Sequence, residues 1–202
     1  MRFHYGAVTE SSDFHPEAEG WRGIREPGPI ALQVLAFPVM VGLLMIWGLF
    51  ILLFVWPKPF SIQIPTAADT MTNCFGGLGL FILIIPLHEL LHTLFHPGWG
   101  LTSNTIIGLW LSKGLFYAHY EGSMSRNRFL LVFLTPYVVL GVLPTIWMGL
   151  FPELMQSLLF FSLWGSVLAC GDLVGLGIIL FQIPNSAIVR NKGWKTYWKS
   201  TS

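Results

Sequence analysis

Phe75 to His96 reads FGGLGLFILIIPLHELLHTLFH, an apolar run that carries His88, Glu89 and His92 in its second half. A hydrocarbon core about 30 Å thick takes about 20 helical residues to cross, so this run predicts a transmembrane helix. Three more stretches meet the same test: Ile30 to Trp56, Phe129 to Phe151, and Met155 to Ile183. The 202-residue chain is 53% hydrophobic and only 10% charged, which is a poor fit to a soluble globular domain. The expected fold is therefore an all-α membrane protein of four transmembrane helices, with spans at about 30–56, 75–96, 129–151 and 155–183.

Lysine and arginine orient the spans. Arg2, Arg22 and Arg25 precede the first, Lys113, Arg126 and Arg128 lie between the second and third, and Arg190, Lys192, Lys195 and Lys199 follow the fourth. Lys58 stands alone in the opposite set of loops. This positive-inside bias predicts a multi-pass plasma-membrane protein with both termini in the cytoplasm. A polar segment at 1–29 and a basic tail at 184–202 would then flank a membrane domain at 30–183. Residues 1–29 contain no apolar run of the kind that forms a cleavable signal, so the first span is expected to act as its own insertion signal. Within the loop from Pro97 to Arg128, Thr105 to Leu111 and Leu115 to Tyr120 are rich in β-branched and aromatic residues and flank Ser112-Lys113-Gly114. They predict a short cytoplasmic β-hairpin, either a ribbon on the membrane surface or an edge that pairs with an extended peptide.

Tyrosine and the sulfhydryl aside, the ionisable groups of the four spans are His88, Glu89, His92, His96 and Asp172. Such groups cost several kcal/mol inside a bilayer, which makes each a functional candidate. One helical turn separates His88 from His92, so both imidazoles can reach one metal ion. Glu89 is rotated about 100 degrees from His88 and falls beside the ion, where it can take a proton from a water that the metal has acidified. This is the His-Glu-x-x-His arrangement of zinc peptidases. Six His and seven Glu would produce it by chance in roughly one of 200 such sequences, so the location inside a span adds weight. The competing reading, histidines satisfied by polar neighbours, lacks partners in the other spans.

A catalytic zinc keeps three protein ligands and one open position, and Asp172 is the candidate third ligand. The second and fourth spans run in the same direction, and His88, His92 and Asp172 fall at comparable depths in their cytoplasmic halves. Gly171, Gly175 and Gly177 would let the fourth helix approach the second. The competing role for Asp172 is a hydrogen bond between helices. His96 lies about 12 Å along a straight helix from His88, too far to share the ion, while His119 could reach it from the hairpin. Pro86 is expected to loosen the second span beside the site, and Pro136 and Pro144 to bend the third. Cys74 and Cys170 form no disulfide framework or thiolate cluster and read as packing residues.

The stretch from Pro86 to Pro97, the Pro-containing Leu134-Thr-Pro-Tyr137 and Cys170-Gly-Asp172 resemble a bacterial family of zincin-type membrane peptidases, itself similar to the site-2 proteases. The resemblance implies one zinc ion per chain held by His88, His92 and Asp172, with Glu89 as the catalytic carboxylate. Site-2 proteases carry a longer Asn-Pro-Asp-Gly-like motif where this chain has Gly171-Asp172-Leu173. The expected function is hydrolysis of membrane or membrane-proximal proteins near the cytoplasmic face, with no nucleic-acid partner. The alternatives are a non-catalytic metal-binding or scaffolding protein and, further off, a haem protein. Cobalt, manganese or iron could also occupy two imidazoles and a carboxylate.

Overall fold

The computed structural model describes residues 1–50, 52, 53, 67–151 and 154–200, with side chains except at 67–75, 155 and 156. Lys58 with its loop and the packing of the Cys74 side chain lie outside these residues. The order is β1 (Arg2–Tyr5), β2 (Arg22–Gly23), α1 (Pro29–Phe50), α2 (Ala67–Thr93), β3 (Thr105–Trp110), β4 (Leu115–Tyr120), β5 (Ser123–Ser125) and α3 (Arg126–Pro136). A π-helical turn (Tyr137–Val142), α4 (Leu143–Leu150), α5 (Met155–Leu168), α6 (Cys170–Gln182), β6 (Ala187–Lys192) and β7 (Lys195–Ser200) follow.

The expected all-α fold with four transmembrane helices is not the one adopted. Seven strands form two sheets among the described residues, one in the order β1-β3-β4 and one in the order β2-β7-β6-β5. The hairpin is present, but β1 adds to it in parallel through Arg2↔Ile106 to Tyr5↔Leu109. The tail folds back as the antiparallel pair β6 and β7, which takes β2 on one side and β5 on the other. Polar composition concealed these strands because sheet pairing is satisfied by backbone groups and asks for alternation over only a few residues.

Three helical stretches are long and apolar enough to cross a membrane: Pro29–Phe50, Gly76–Thr93 and Arg126–Leu150. The stretch expected as the fourth span bends by 48° between Leu168 and Cys170. Ala169, with φ −80° and ψ 0°, is the single residue between the two helices, and Asp172 falls in the first turn of α6. Helix α2 continues through Pro86 without a break and ends at Thr93, three residues before the expected limit. Pro97 cannot extend it, and Gly98, Trp99 and Gly100 all take positive φ. Gly100 is required there, since a Cβ would stand 2.7 Å from the Thr93 backbone oxygen. In the third stretch Pro136 is followed at once by the π-helical turn, a usual site for such a defect.

The core ties the two sheets to the helices. Phe129 and Val132 of α3, Ile179 of α6, Met124 of β5 and Val189 of β6 form one buried cluster, against which Phe95 packs from the turn after α2. A second cluster joins Ile84 and Leu91 of α2 to Leu140 in the π-helical turn. Full burial of a side chain such as Val189, outside the apolar stretches, is worth about 1.5–3 kcal/mol. Gly175 makes room for the Phe133 ring of α3, so the glycine contact of α6 is with α3 rather than with α2.

Candidate metal centre

Helix α2 places the His88 and His92 rings one turn apart, with centroids 5.0 Å from each other. Asp172 meets them from the first turn of α6, where the helix dipole favours an anion. Its Oδ2 lies 2.9 Å from His88 Nε2 and 3.4 Å from His92 Nε2. One ligand atom from each of the three residues falls within 4.8 Å of the others. Both histidines are buried.

The donor set fits zinc. Tetrahedral zinc with ligand bonds of 2.0–2.2 Å separates its ligand atoms by about 3.3 Å, and the two distances to Asp172 bracket that value. His92 Nδ1 lies 2.8 Å from the Val132 backbone oxygen. A carbonyl can only accept, so Nδ1 carries the proton and Nε2 faces Asp172 with its lone pair available. A backbone carbonyl behind a histidine is the usual outer partner of a metal ligand. Two imidazoles and one carboxylate leave the fourth position open, as catalytic sites do.

Glu89 is buried beside this group but supplies no atom to it. The backbone amide of Ala118 on β4 faces its carboxylate. His96 and His119 are also outside the group, although both line the same cavity as His88. His96 lies in the turn beyond α2, buried, with its ring 5.4 Å from that of Tyr120. His119 on β4 is buried with no partner at Nε2 among the described residues, and burial pushes its imidazole down to about 4. Cys170 is a half-buried free thiol two residues from Asp172.

Three groups outside the ligand set support it. The Val132 carbonyl and the Ala118 amide are backbone groups. Arg128 sends its guanidinium to the carbonyls of Phe95, at 2.5 Å, and His96, at 3.0 Å, which holds down the end of the ligand-bearing segment. Its place at the start of the third apolar stretch is the signal that marks it in the sequence. The cavity in front of these groups has a volume of about 450 Å³ and is lined by residues of α1, the segment before it, β4 and the β6–β7 hairpin, among others.

A family described as "Putative zincin peptidase" matches residues 81–188, more than half of the chain. The chain belongs to this zincin peptidase family. The matched region includes His88, Glu89, His92 and Asp172, and membership implies zinc and a metallopeptidase hydrolase. No curated protein and no solved structure matches this zincin.

Proposed function

We propose that this zincin is a membrane-embedded zinc metalloprotease that hydrolyses peptide bonds of membrane or membrane-proximal proteins near the cytoplasmic face. His88, His92 and Asp172 hold the ion and Glu89 is the catalytic carboxylate. The observation that carries the reading is the convergence of two imidazoles and a carboxylate within 4.8 Å, with a buried, non-ligating Glu89 next to them.

Zinc, when bound, supplies Lewis acidity that polarises a scissile carbonyl and lowers the pKa of a water by several units. Glu89 receives the proton at its carboxylate and returns it to the departing amine. The Ala118 amide is placed to help hold that carboxylate. The outer edge of β4 is not paired with another strand among the described residues, and an extended substrate can add there by backbone hydrogen bonds.

Membrane embedding is supported by the helix surfaces. Val34, Phe37, Met45 and Ile46 of α1 are exposed although strongly apolar, as expected of a lipid-facing helix. Orientation is supported by strand pairing, since β2 with β7, β5 with β6 and β1 with β3 join the segments outside the apolar helices into one assembly on one side. Those segments and the first turn of α3, with Arg126 and Arg128, hold every lysine and arginine except Lys58, which favours the cytoplasmic side.

The test is metal analysis and cleavage assays on the full chain in vesicles with candidate membrane proteins. Wild type should bind one zinc and cleave. Glu89→Gln should keep the zinc and lose roughly 10²–10⁴-fold in rate, while Asp172→Ala should lose the zinc. Equal cleavage by wild type and Glu89→Gln would refute the proposal, and zinc binding with no turnover would favour a non-catalytic metal protein.

A further inference from the structure

Val132 stands four residues before Pro136 in α3. In an α-helix the carbonyl of residue i is taken by the amide of residue i+4, and proline has no N–H to offer. The next amide, that of Tyr137, turns instead to Leu134. One turn of α3 therefore presents an acceptor that the helix cannot satisfy. Left alone, a buried carbonyl in this position costs free energy. It is met by His92 Nδ1 at 2.8 Å. Neighbouring turns show the contrast, since the Leu131 carbonyl accepts from the hydroxyl of Thr135, its own i+4 residue, and reaches no metal ligand.

We propose that Pro136 is a positioning residue of the metal centre: by withholding an N–H, it keeps the Val132 carbonyl open as the partner that sets the tautomer and ring plane of His92. The inference rests on the reading of His92 as a zinc ligand. Pro136 touches neither metal nor substrate and acts through two intermediates, the carbonyl and the imidazole. It is fully buried, so its side chain does not face solvent or the lipid. The π-helical turn from Tyr137 to Val142 takes up the register that the missing bond disturbs, and the helix then continues into α4. An amide at position 136 would draw the Val132 carbonyl along the axis of α3 and away from His92. The outer partner of a metal-ligating histidine typically contributes 10–100-fold in metal affinity.

Two variants of the full chain separate the missing N–H from the proline ring. Pro136→Ala restores the amide, whereas Pro136→lactic acid, an ester linkage, lacks both the N–H and the ring. Zinc affinity is measured by chelator competition in detergent. The tautomer of His92 is read in metal-free protein from its ring ¹⁵N signals after histidine labelling, assigned with His92→Gln. Pro136→Ala should bind zinc about 10–100-fold more weakly and lose the hydrogen-bonded Nδ1–H signal. Pro136→lactic acid should stay near wild type in both. If Pro136→Ala keeps the wild-type ring signals, or if both variants are equally impaired, the proposal is overturned. Unchanged zinc binding in His92→Gln would instead overturn the ligand assignment, and the metal-free ring signals would still decide the role of Pro136.

Discussion

His119 combines a buried ring, an Nε2 without a partner and an imidazole held at about 4 by burial, so it is neutral in the folded protein at physiological pH. Its folded value is depressed below the ordinary histidine range. The stability it contributes is present above about 6.5 and is lost as pH falls toward about 4. The apparent thermal midpoint should therefore drop across that window at fixed scan rate, and His119→Phe, which cannot titrate, should flatten the drop. An unchanged slope in the variant would assign the acid sensitivity to other groups. At this scale the candidate site was largely legible, because spacing on one helix joins His88 to His92, and depth in the chain brings Asp172 to them. What was not legible is backbone chemistry: the Val132 carbonyl and the Ala118 amide carry no residue-type signal. The proline four residues after Val132 is the mark by which the carbonyl could have been found.

The β3–β4 hairpin shows how an element controls the site from outside it. Gly108 pairs with Tyr117 across the ladder, and the Tyr117 ring lies over the glycine so closely that a Cβ would collide with it. The Tyr117 hydroxyl then donates toward the carbonyls of Gly6 and Ala7, at 3.3 and 3.2 Å, which fastens the chain beyond β1. Gly108→Val should force the ring aside, cost about 1–3 kcal/mol of stability, and shift β4 so that the Ala118 amide no longer faces Glu89. A lowered thermal midpoint together with slower cleavage and retained zinc is the expected combination. A stability loss with wild-type cleavage would show that β4 does not position Glu89. The hairpin and the apolar helices were legible because their periodicity runs over six residues or more. Strands β1, β2 and β5 are two to four residues long and have no pattern to read. In β6 and β7, the alternation of Ala187 with Val189 and of Thr196 with Trp198 is present but overshadowed by lysine and arginine.

Across the whole molecule the segment before α1 is tied over the cavity by the tail and by α6. The Ile24 amide donates to the Thr196 carbonyl, Gln182 and Arg25 exchange two hydrogen bonds, and the Trp194 indole donates to the Pro27 carbonyl. Glu26 accepts from both the amide and the hydroxyl of Thr196. Burial nonetheless raises its carboxyl above the usual range, outweighing those bonds and the nearby Lys195 charge. A raised folded value means that the contribution of Glu26 to docking is complete at acid pH and is lost as pH rises through that value. The segment should thus loosen as the carboxylate ionises. Glu26→Gln, neutral at every pH, should remove the loosening while keeping an oxygen acceptor for Thr196. Hydrogen exchange at the Ile24 amide checks this directly: near pH 4 the two proteins should be alike, and near pH 8, after correction for intrinsic exchange, the wild type should open more often. Because this segment lines the cavity in front of Glu89, the same comparison made on cleavage should show wild type gaining on Glu26→Gln as pH rises if substrate enters beneath the segment. Parallel pH profiles would place the entrance elsewhere, along the free edge of β4.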